Sequence, residues 1–298
     1  MYGAMIGDII GSRYEFDNIK TKDFPLFSKG CDFTDDTIMT VAMAKALLRS
    51  REEQYKHGAQ SFQSILIEEM QALGKHYPHP TGEYGGNFAA WLREKDPKPY
   101  NSFGNGSAMR TSPCGLIAVT LEEAIALARA GAAVSHNHPE GIKGAEAVSA
   151  AVFLAKTGRT KEEIRHYIVA HYYPLDFTLD SIRPSYSFDG SCQGSVPQAL
   201  VAFFESESFE DAIRNAISIG GDTDTIGAIT GSVAWVYYAI QSGGYSGWVY
   251  DQIDPAMLAI REQAKAYLPQ EFIQIAEEFH EVCWRRAGTY NRVGGSIG

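Results

Sequence analysis

Cysteine is scarce in this sequence, and the residues that do occur lie far apart. The four cysteines form no C-x-x-C pair, so we expect neither a disulfide framework nor a cysteine zinc site. Basic side chains are also in the minority, because 26 lysines and arginines stand against 36 aspartates and glutamates, for a formal net charge of −10. The negative electrostatic field of such a protein would oppose general binding of nucleic acid, which is also negatively charged. The composition predicts a cytoplasmic protein with reduced thiols and no general affinity for nucleic acid.

Export signals, membrane spans and several hydrolase motifs are absent as well. The apolar first ten residues lack a basic region and include Asp8, which disfavours a secretory signal. The uncharged stretch between Asp224 and Asp251 is interrupted by glycines and by Gln241 and Ser242, which favours a buried helix over a membrane span. The sequence contains no G-x-S-x-G and no H-E-x-x-H. Serine-hydrolase, zincin and cysteine-protease chemistry is therefore not expected.

Helical periodicity dominates what is present. Apolar residues recur at i, i+3 and i+4 in residues 39–47, 121–128 and 212–217, as on core-facing helices. Capping boxes mark helix starts at Thr120, Thr160 and Ser208, and alternating strand patterns are missing. The 298 residues fit one large domain. We predict a compact, monomeric all-α domain over residues 1–287, followed by a flexible glycine-rich tail at 288–298.

Two helix starts carry the same acidic chemistry. Thr34-Asp35-Asp36-Thr37 and Asp222-Thr223-Asp224-Thr225 each precede an apolar helix, and each alone is typical of an N-cap. If the two starts converge, four carboxylates share one place, which disfavours joint ionisation unless a cation binds. Oxygen ligands favour Mg²⁺ or Mn²⁺. Adjacent Asp35 and Asp36 point roughly 100° apart on a helix, so a pair of ions is plausible.

A glycine-rich segment at residues 102–110 is the third candidate. Its glycines allow backbone amides to wrap a phosphate, Arg110 adds a charge, and Phe103 can face a base or a sugar. An ordinary turn remains the alternative, because neither Walker A nor Rossmann spacing is present. Further along, the spacing of His136 and His138 disfavours a metal site, and a ligand hydrogen bond from His136 is the better interpretation.

Small residues recur at four-residue intervals near the amino terminus and again in the second acidic helix. Gly3, Gly7 and Gly11 form the first set, and Gly227 and Gly231 form the second. A glycine inside a helix costs about 1 kcal/mol relative to alanine unless close packing recovers it. The two sets therefore predict close helix packing.

Taken in order, five segments resemble those of the ADP-ribosylglycohydrolase family. They are Gly7-Asp8 with Gly11 and Glu15, Thr34-Asp35-Asp36-Thr37, Gly104-Asn105-Gly106-Ser107-Ala108-Met109-Arg110, Ser135-His136 with Pro139-Glu140, and Gly220-Gly221-Asp222-Thr223-Asp224-Thr225. The resemblance implies an orthogonal all-α bundle that holds two divalent cations, Mg²⁺ or Mn²⁺. The implied metal ligands are Thr34, Asp35, Asp36, Asp222, Asp224 and Thr225.

The same resemblance implies a ligand, a reaction and a set of catalytic residues. Residues 102–106 would cradle the diphosphate of ADP-ribose, and Glu15, Asp35 or Asp36 would manage protons. The expected ligand-binding residues are Ser102, Phe103, Gly104, Asn105, Gly106, Met109, Arg110 and His136. The implied reaction cleaves the bond between the distal ribose and an acceptor, which is an ADP-ribosylated protein or a small ADP-ribosyl conjugate. Residues 77–100 and 172–197 match nothing assignable, so the acceptor stays open.

Two other classes of function remain open from the sequence. One is a different metal-dependent hydrolase that acts on a phosphoester or a nucleotide. The other is a protein without catalytic activity, which either binds ADP-ribose or serves a structural, crystallin-like role. Fold resemblance alone does not choose among these.

Overall fold

The computed structural model describes residues 1–53, 60–243 and 253–292. Within these ranges the secondary structure is helical, and the only β pairing consists of isolated bridges. The helices are α1 (Tyr2–Ser12), α2 (Asp35–Glu53), α3 (Phe62–His76), α4 (Gly86–Arg93), α5 (Gly106–Met109), α6 (Ser112–Ile117), α7 (Leu121–Ala133), α8 (Pro139–Lys156), α9 (Lys161–His171), α10 (Leu179–Ile182), α11 (Cys192–Phe204), α12 (Phe209–Ser218), α13 (Thr223–Gln241), α14 (Pro255–Lys265) and α15 (Gln270–Arg292). The all-α prediction is confirmed.

The predicted caps begin the helices where the sequence places them. The Thr120 hydroxyl accepts from the Glu123 backbone N–H at α7, and Thr160 with Glu163 forms a complete capping box at α9. The Ser208 hydroxyl accepts from the Asp211 N–H at α12. Each cap satisfies a free N–H of a first turn, so local sequence specifies these three starts.

Helices α1 and α13 pack against each other through the two glycine sets. A methyl group on Gly7 would lie 1.9 Å from the Gly227 carbonyl oxygen, and one on Gly3 would lie 2.1 Å from that of Gly231. A methyl group on Gly11 would lie 2.2 Å from the Thr223 carbonyl oxygen. The pairing runs antiparallel, so the end of α1 lies beside the start of α13. The predicted close packing is confirmed.

The uncharged stretch forms a buried helix, as predicted. Helix α13 is buried on nearly all sides and belongs to the main apolar core, which also takes in side chains from α1, α2, α8 and α11. In the described part of the chain, no helix combines the length and apolarity that a bilayer crossing requires. All four cysteines are buried and unpaired.

Two segments that were not predicted to be helical contain helix. Helix α10 and the first turns of α11 lie within residues 173–197, and Pro197 falls inside α11. Helix α15 continues to Arg292, past the predicted start of the tail at Gly288. The rest of the tail, residues 293–298, lies outside the described residues.

Candidate active site

The start of α2 is held by a carboxylate from α1. Asp8 is fully buried, and its Oδ2 accepts from the backbone N–H groups of Thr34 and Thr37 at 3.0 Å each. Its Oδ1 accepts from the Thr34 hydroxyl at 2.7 Å. Asp8 therefore caps the first turn of α2 from another helix. Asp35 and Asp36 are consequently not needed as caps.

The start of α13 meets the start of α2 directly. The Thr225 hydroxyl donates to Asp36 Oδ2 at 3.1 Å. Asp222 occupies the N-cap position of α13 without a side-chain cap bond, whereas Asp224 Oδ1 accepts from the Thr225 N–H at 2.9 Å. Asp224 lies inside the helix, one residue before Thr225, so this bond is not an N-cap, and capping does not account for the acidic residues of α13.

Glu15 completes an acidic cluster with the α13 aspartates. One carboxylate oxygen from each of Glu15, Asp222 and Asp224 lies within 4.8 Å of the others. Among the described residues, the buried atoms Glu15 Oε2 and Asp36 Oδ1 have no hydrogen-bond partner. Burial of a carboxylate oxygen without a hydrogen-bond partner costs free energy. A bound cation would offset that cost, and both atoms are free to accept one.

The pKa values of the cluster also indicate that it needs a cation. Burial, together with the charges of Asp224 and Asp35, raises the pKa of Glu15 to about 8. Burial and the Asp224 charge raise the pKa values of Asp35, Asp36 and Asp222 well above the ordinary range. Full ionisation therefore requires positive charge in the cluster. Carboxylate and hydroxyl oxygens without imidazole or thiolate fit a hard divalent cation.

The two predicted hydroxyl ligands direct their protons away from such an ion. Thr34 donates to Asp8, and Thr225 donates to Asp36. A hydroxyl has one donor hydrogen and two acceptor lone pairs. Thr34 uses one lone pair for the Asp36 N–H at 3.2 Å, so each threonine keeps at least one for a cation.

A cavity of about 400 Å³ opens beside this cluster. Most of the predicted site residues line it, whereas Thr34 and Phe103 do not. Phe103 is 49% exposed, and its ring lies edge-on to His138 with centroids 5.4 Å apart. The predicted residues in the lining are Glu15, Asp35, Asp36, Ser102, Gly104, Asn105, Gly106, Met109, Arg110, His136, Asp222, Asp224 and Thr225.

The glycine-rich segment is connected to the acidic cluster by Asn105. Its Nδ2 donates to Asp222 Oδ2 at 2.7 Å and to the Ser195 hydroxyl at 3.0 Å. The backbone N–H of Asn105 also donates to the Gly190 carbonyl at 2.8 Å. The Asn105 side chain therefore orients a carboxylate, in addition to standing beside the cavity.

Comparison with known proteins decides the family. Residues 1–283 match the family described as ADP-ribosylglycohydrolase. The chain belongs to the ADP-ribosylglycohydrolase family. It is 25% identical over 289 residues to "ADP-ribosylarginine hydrolase Tri1" of Pseudomonas putida, covering 84% of this chain and 72% of that protein. It is 24% identical over 317 residues to "ADP-ribosylhydrolase ARH3" of Homo sapiens, covering 80% of this chain and 84% of that protein.

The fold of this ADP-ribosylglycohydrolase family member is also found in a solved structure. The "ADP-ribosylglycohydrolase-related protein complex" superposes with a TM-score of 0.63 at 21% identity, covering 96% of this chain and 95% of that chain. At that identity the likeness shows the fold.

The structure of this ADP-ribosylglycohydrolase family member adds cavity residues that sequence reasoning missed. Gly82 has φ +81°, and a methyl group there would lie 3.0 Å from Glu15 Oε2. Tyr84, Phe88 and Phe188 also line the cavity. The glycines of residues 82–86 resemble those of the 102–106 loop, and that similarity was the available signal. Phe188 carried no such signal.

Proposed function

We propose that this chain hydrolyses the glycosidic bond between the distal ribose of ADP-ribose and an acceptor, with two divalent cations, Mg²⁺ or Mn²⁺, bound at the acidic cluster. The single observation that carries the proposal is the meeting of α2 and α13 through the Thr225–Asp36 hydrogen bond. That contact puts the Asp35 and Asp36 pair, the Asp222 and Asp224 pair and Glu15 around one cavity.

The carboxylate and hydroxyl residues of the two helix starts would hold the cations. They are Thr34, Asp35, Asp36, Asp222, Asp224 and Thr225. When bound, divalent cations supply the positive charge that lets these carboxylates ionise together and the Lewis acidity that orients ribose hydroxyls. The carboxylates in turn supply negative charge close to the anomeric carbon, where an oxocarbenium-like transition state develops positive charge.

Glu15 is the best candidate for proton transfer among the three predicted catalytic carboxylates. It is half-buried, its pKa is raised to about 8, and its Oε2 has no partner among the described residues. Bound cations would lower this pKa, so that the carboxylate accepts a proton at working pH. Gly82 lies against that oxygen with no side chain, so a substrate atom or water can approach it. Asp36, in contrast, already accepts from Thr225.

The remaining cavity wall would bind the ADP-ribosyl group. Residues 104–106 and the His136 ring line the cavity beside the cluster, although the Gly104 and Asn105 N–H groups already donate to Ser102 and Gly190. Phe103 stands exposed nearby, where an aromatic ring can stack on a base. On the side of Asp222, Phe188 is 57% exposed and lines the cavity. We assign this side to the acceptor, which would be an ADP-ribosylated protein or a small conjugate.

The test is a substrate panel assayed with Mg²⁺, with Mn²⁺ and with a chelator. The panel contains ADP-ribosylated arginine and serine peptides, an ADP-ribosylated nucleobase and O-acetyl-ADP-ribose, and Asp222→Asn serves as the matched inactive variant. We expect metal-dependent release of ADP-ribose from at least one substrate. Release of inorganic phosphate or a nucleotide would instead support a phosphoester hydrolase, and binding without turnover would support a non-catalytic role.

A further inference from the structure

Behind the glycine-rich segment, three buried side chains form a hydrogen-bonded chain that leads into the cavity. Arg110 Nη2 donates to the Ser135 hydroxyl at 2.8 Å, and the Ser135 hydroxyl lies 2.8 Å from His136 Nδ1. Arg110 and Ser135 are fully buried, and His136 is 4% exposed. The other ring nitrogen, His136 Nε2, faces the 104–106 loop, where a methyl group on Gly106 would lie 3.4 Å away.

The direction of each hydrogen bond follows from the donor inventory. Burial lowers the pKa of Arg110 only to about 10, so the guanidinium stays charged at neutral pH. A guanidinium donates and never accepts, so the Ser135 oxygen is the acceptor in the first bond. Among the described residues, His136 is the remaining partner of that hydroxyl. The buried hydroxyl hydrogen therefore goes to Nδ1, because a buried donor without an acceptor is unfavourable.

The protonation state of His136 decides which of its ring nitrogens carries a hydrogen. Burial, with a further contribution from the Arg110 charge, lowers the pKa of His136 well below its ordinary range. The ring is therefore neutral at neutral pH and carries a single N–H. Because Nδ1 accepts from Ser135, that hydrogen resides on Nε2, the nitrogen that faces the cavity.

Arg110 is a buried cation beside the cavity, and its guanidinium is only partly hydrogen-bonded. Its guanidinium lies 5.6 Å from the centre of the Phe88 ring, and its Nε and Nη1 have no hydrogen-bond partner among the described residues. In the same part of the chain, Arg110 forms no salt bridge, although the charge of Asp35 acts on it from a longer distance and raises its pKa. A buried cation without a close counter-charge favours an anionic ligand nearby.

We propose that Ser135 is a positioning residue that fixes His136 in the Nε2–H tautomer, so that the ring donates a hydrogen bond to an anionic oxygen of the ligand above the glycine-rich loop. In this arrangement Arg110 acts on His136 through Ser135. The choice of ligand rests on the proposed function, under which the anionic oxygen belongs to the diphosphate of ADP-ribose. The tautomer itself does not depend on that assignment.

The first experiment reads the tautomer in the protein as it exists. Nitrogen-15 NMR of histidine-labelled protein, with His136→Gln used to assign the signals, reports which ring nitrogen carries the hydrogen. We expect a protonated, pyrrole-type Nε2 and an unprotonated Nδ1 in the ligand-free wild type. A protonated Nδ1 would overturn the proposal, whether or not the chain hydrolyses any substrate.

The second experiment is a double-mutant cycle on ADP-ribose affinity, measured by calorimetry. Ser135→Ala should weaken binding about tenfold, whereas Ser135→Thr, which keeps the hydroxyl, should stay within about threefold. Glutamine always offers an amide donor, so Ser135→Ala should have little further effect in a His136→Gln background. An equal loss in both backgrounds would reduce Ser135 to a merely structural role and contradict the proposal.

One control variant and one kinetic measurement distinguish a positioning role of Ser135 from a role in folding. Ser149→Ala removes another fully buried serine hydroxyl, one that donates to the Ala124 carbonyl at 2.9 Å, and should leave ADP-ribose affinity unchanged. For a hydrolysed substrate, Ser135→Ala should raise KM with little change in kcat, because ligand binding and not the chemical step is affected. If Ser135→Ala does not fold, the wild-type tautomer measurement still decides the question.

Discussion

The side-chain amide of Asn105 donates to Asp222 Oδ2 at 2.7 Å, across 117 positions of sequence. This bond joins the glycine-rich segment to the acidic cluster. The same Asn105 amide also donates to the Ser195 hydroxyl, which in turn donates to the Asp189 carbonyl at 2.6 Å. The orientation of Asp222 is therefore set by a side chain that is not itself a predicted cation ligand.

Removal of this amide should weaken cation binding without destroying the fold. Groups that orient metal ligands typically contribute 10–100-fold to affinity, so Asn105→Ala should lower Mn²⁺ affinity in calorimetry by about that factor. Asn215→Ala is the matched control, because Asn215 is also buried but donates to the Ala202 carbonyl. That variant should lose stability and keep its Mn²⁺ affinity. Equal Mn²⁺ affinities in Asn105→Ala and the wild type would remove Asn105 from the site.

A second prediction concerns the charge of Asp224. In Asp224→Asn the side-chain oxygen can still accept from the Thr225 N–H, so the start of α13 should remain formed. Loss of the carboxylate should lower turnover of any hydrolysed substrate at least about 100-fold and abolish measurable Mn²⁺ binding. Circular dichroism checks the helix content. Hydrolysis at the wild-type rate would show that the metal assignment is wrong.

Packing of α1 on α13 leads to a third prediction. In Gly7→Ala the new methyl group would lie 1.9 Å from the Gly227 carbonyl oxygen, so the helices must separate. Overpacking of this kind costs about 1–3 kcal/mol, measurable as a lower free energy of unfolding in urea. Activity should fall too, because α1 carries Asp8 and leads to Glu15. Gly86→Ala, where no described atom lies within 4 Å of the new methyl group, should be as stable as the wild type.

The pH dependence of stability follows from the raised pKa values. For Glu15 the pKa rises from 4.5 to about 8, and for Asp8 it rises from 3.8 to about 7. Groups with a raised folded-state pKa contribute stability below their unfolded-state pKa and lose it as pH rises through the folded-state value. With chelator present, the melting temperature should therefore fall between pH 5 and pH 8, by at least about 3 °C.

Added Mn²⁺ should reverse that trend, because cation binding favours the ionised carboxylates. The stabilisation by Mn²⁺ should be larger at pH 8 than at pH 5, as measured by differential scanning calorimetry. A metal-free protein that becomes more stable from pH 5 to pH 8 would contradict the electrostatic account of the cluster.

The sequence was sufficient to predict features that depend on interactions between residues close together in the chain. Thr160 and Glu163 cap their helix reciprocally within one turn, and the glycines at 7 and 227 could be interpreted as packing surfaces. The all-α fold follows from such signals, since helical periodicity and caps act over a few residues.

The site needed the structure because its contacts are long-range. Asp8 caps α2 across 26 positions, and Thr225 reaches Asp36 across 189. Spacing in sequence contains no information on such approaches. Phe188 was missed for the same reason, because it enters the cavity from a loop that carries no family motif. Ser135 is polar and fully buried, and only its partners reveal what it does.

The most direct test of the central claim is anomalous diffraction from a crystal grown with Mn²⁺. We expect anomalous peaks for a pair of ions between the starts of α2 and α13, within coordination distance of Asp36, Asp222 and Asp224. No peak at that position, or carboxylates that point away from one another, would contradict the account.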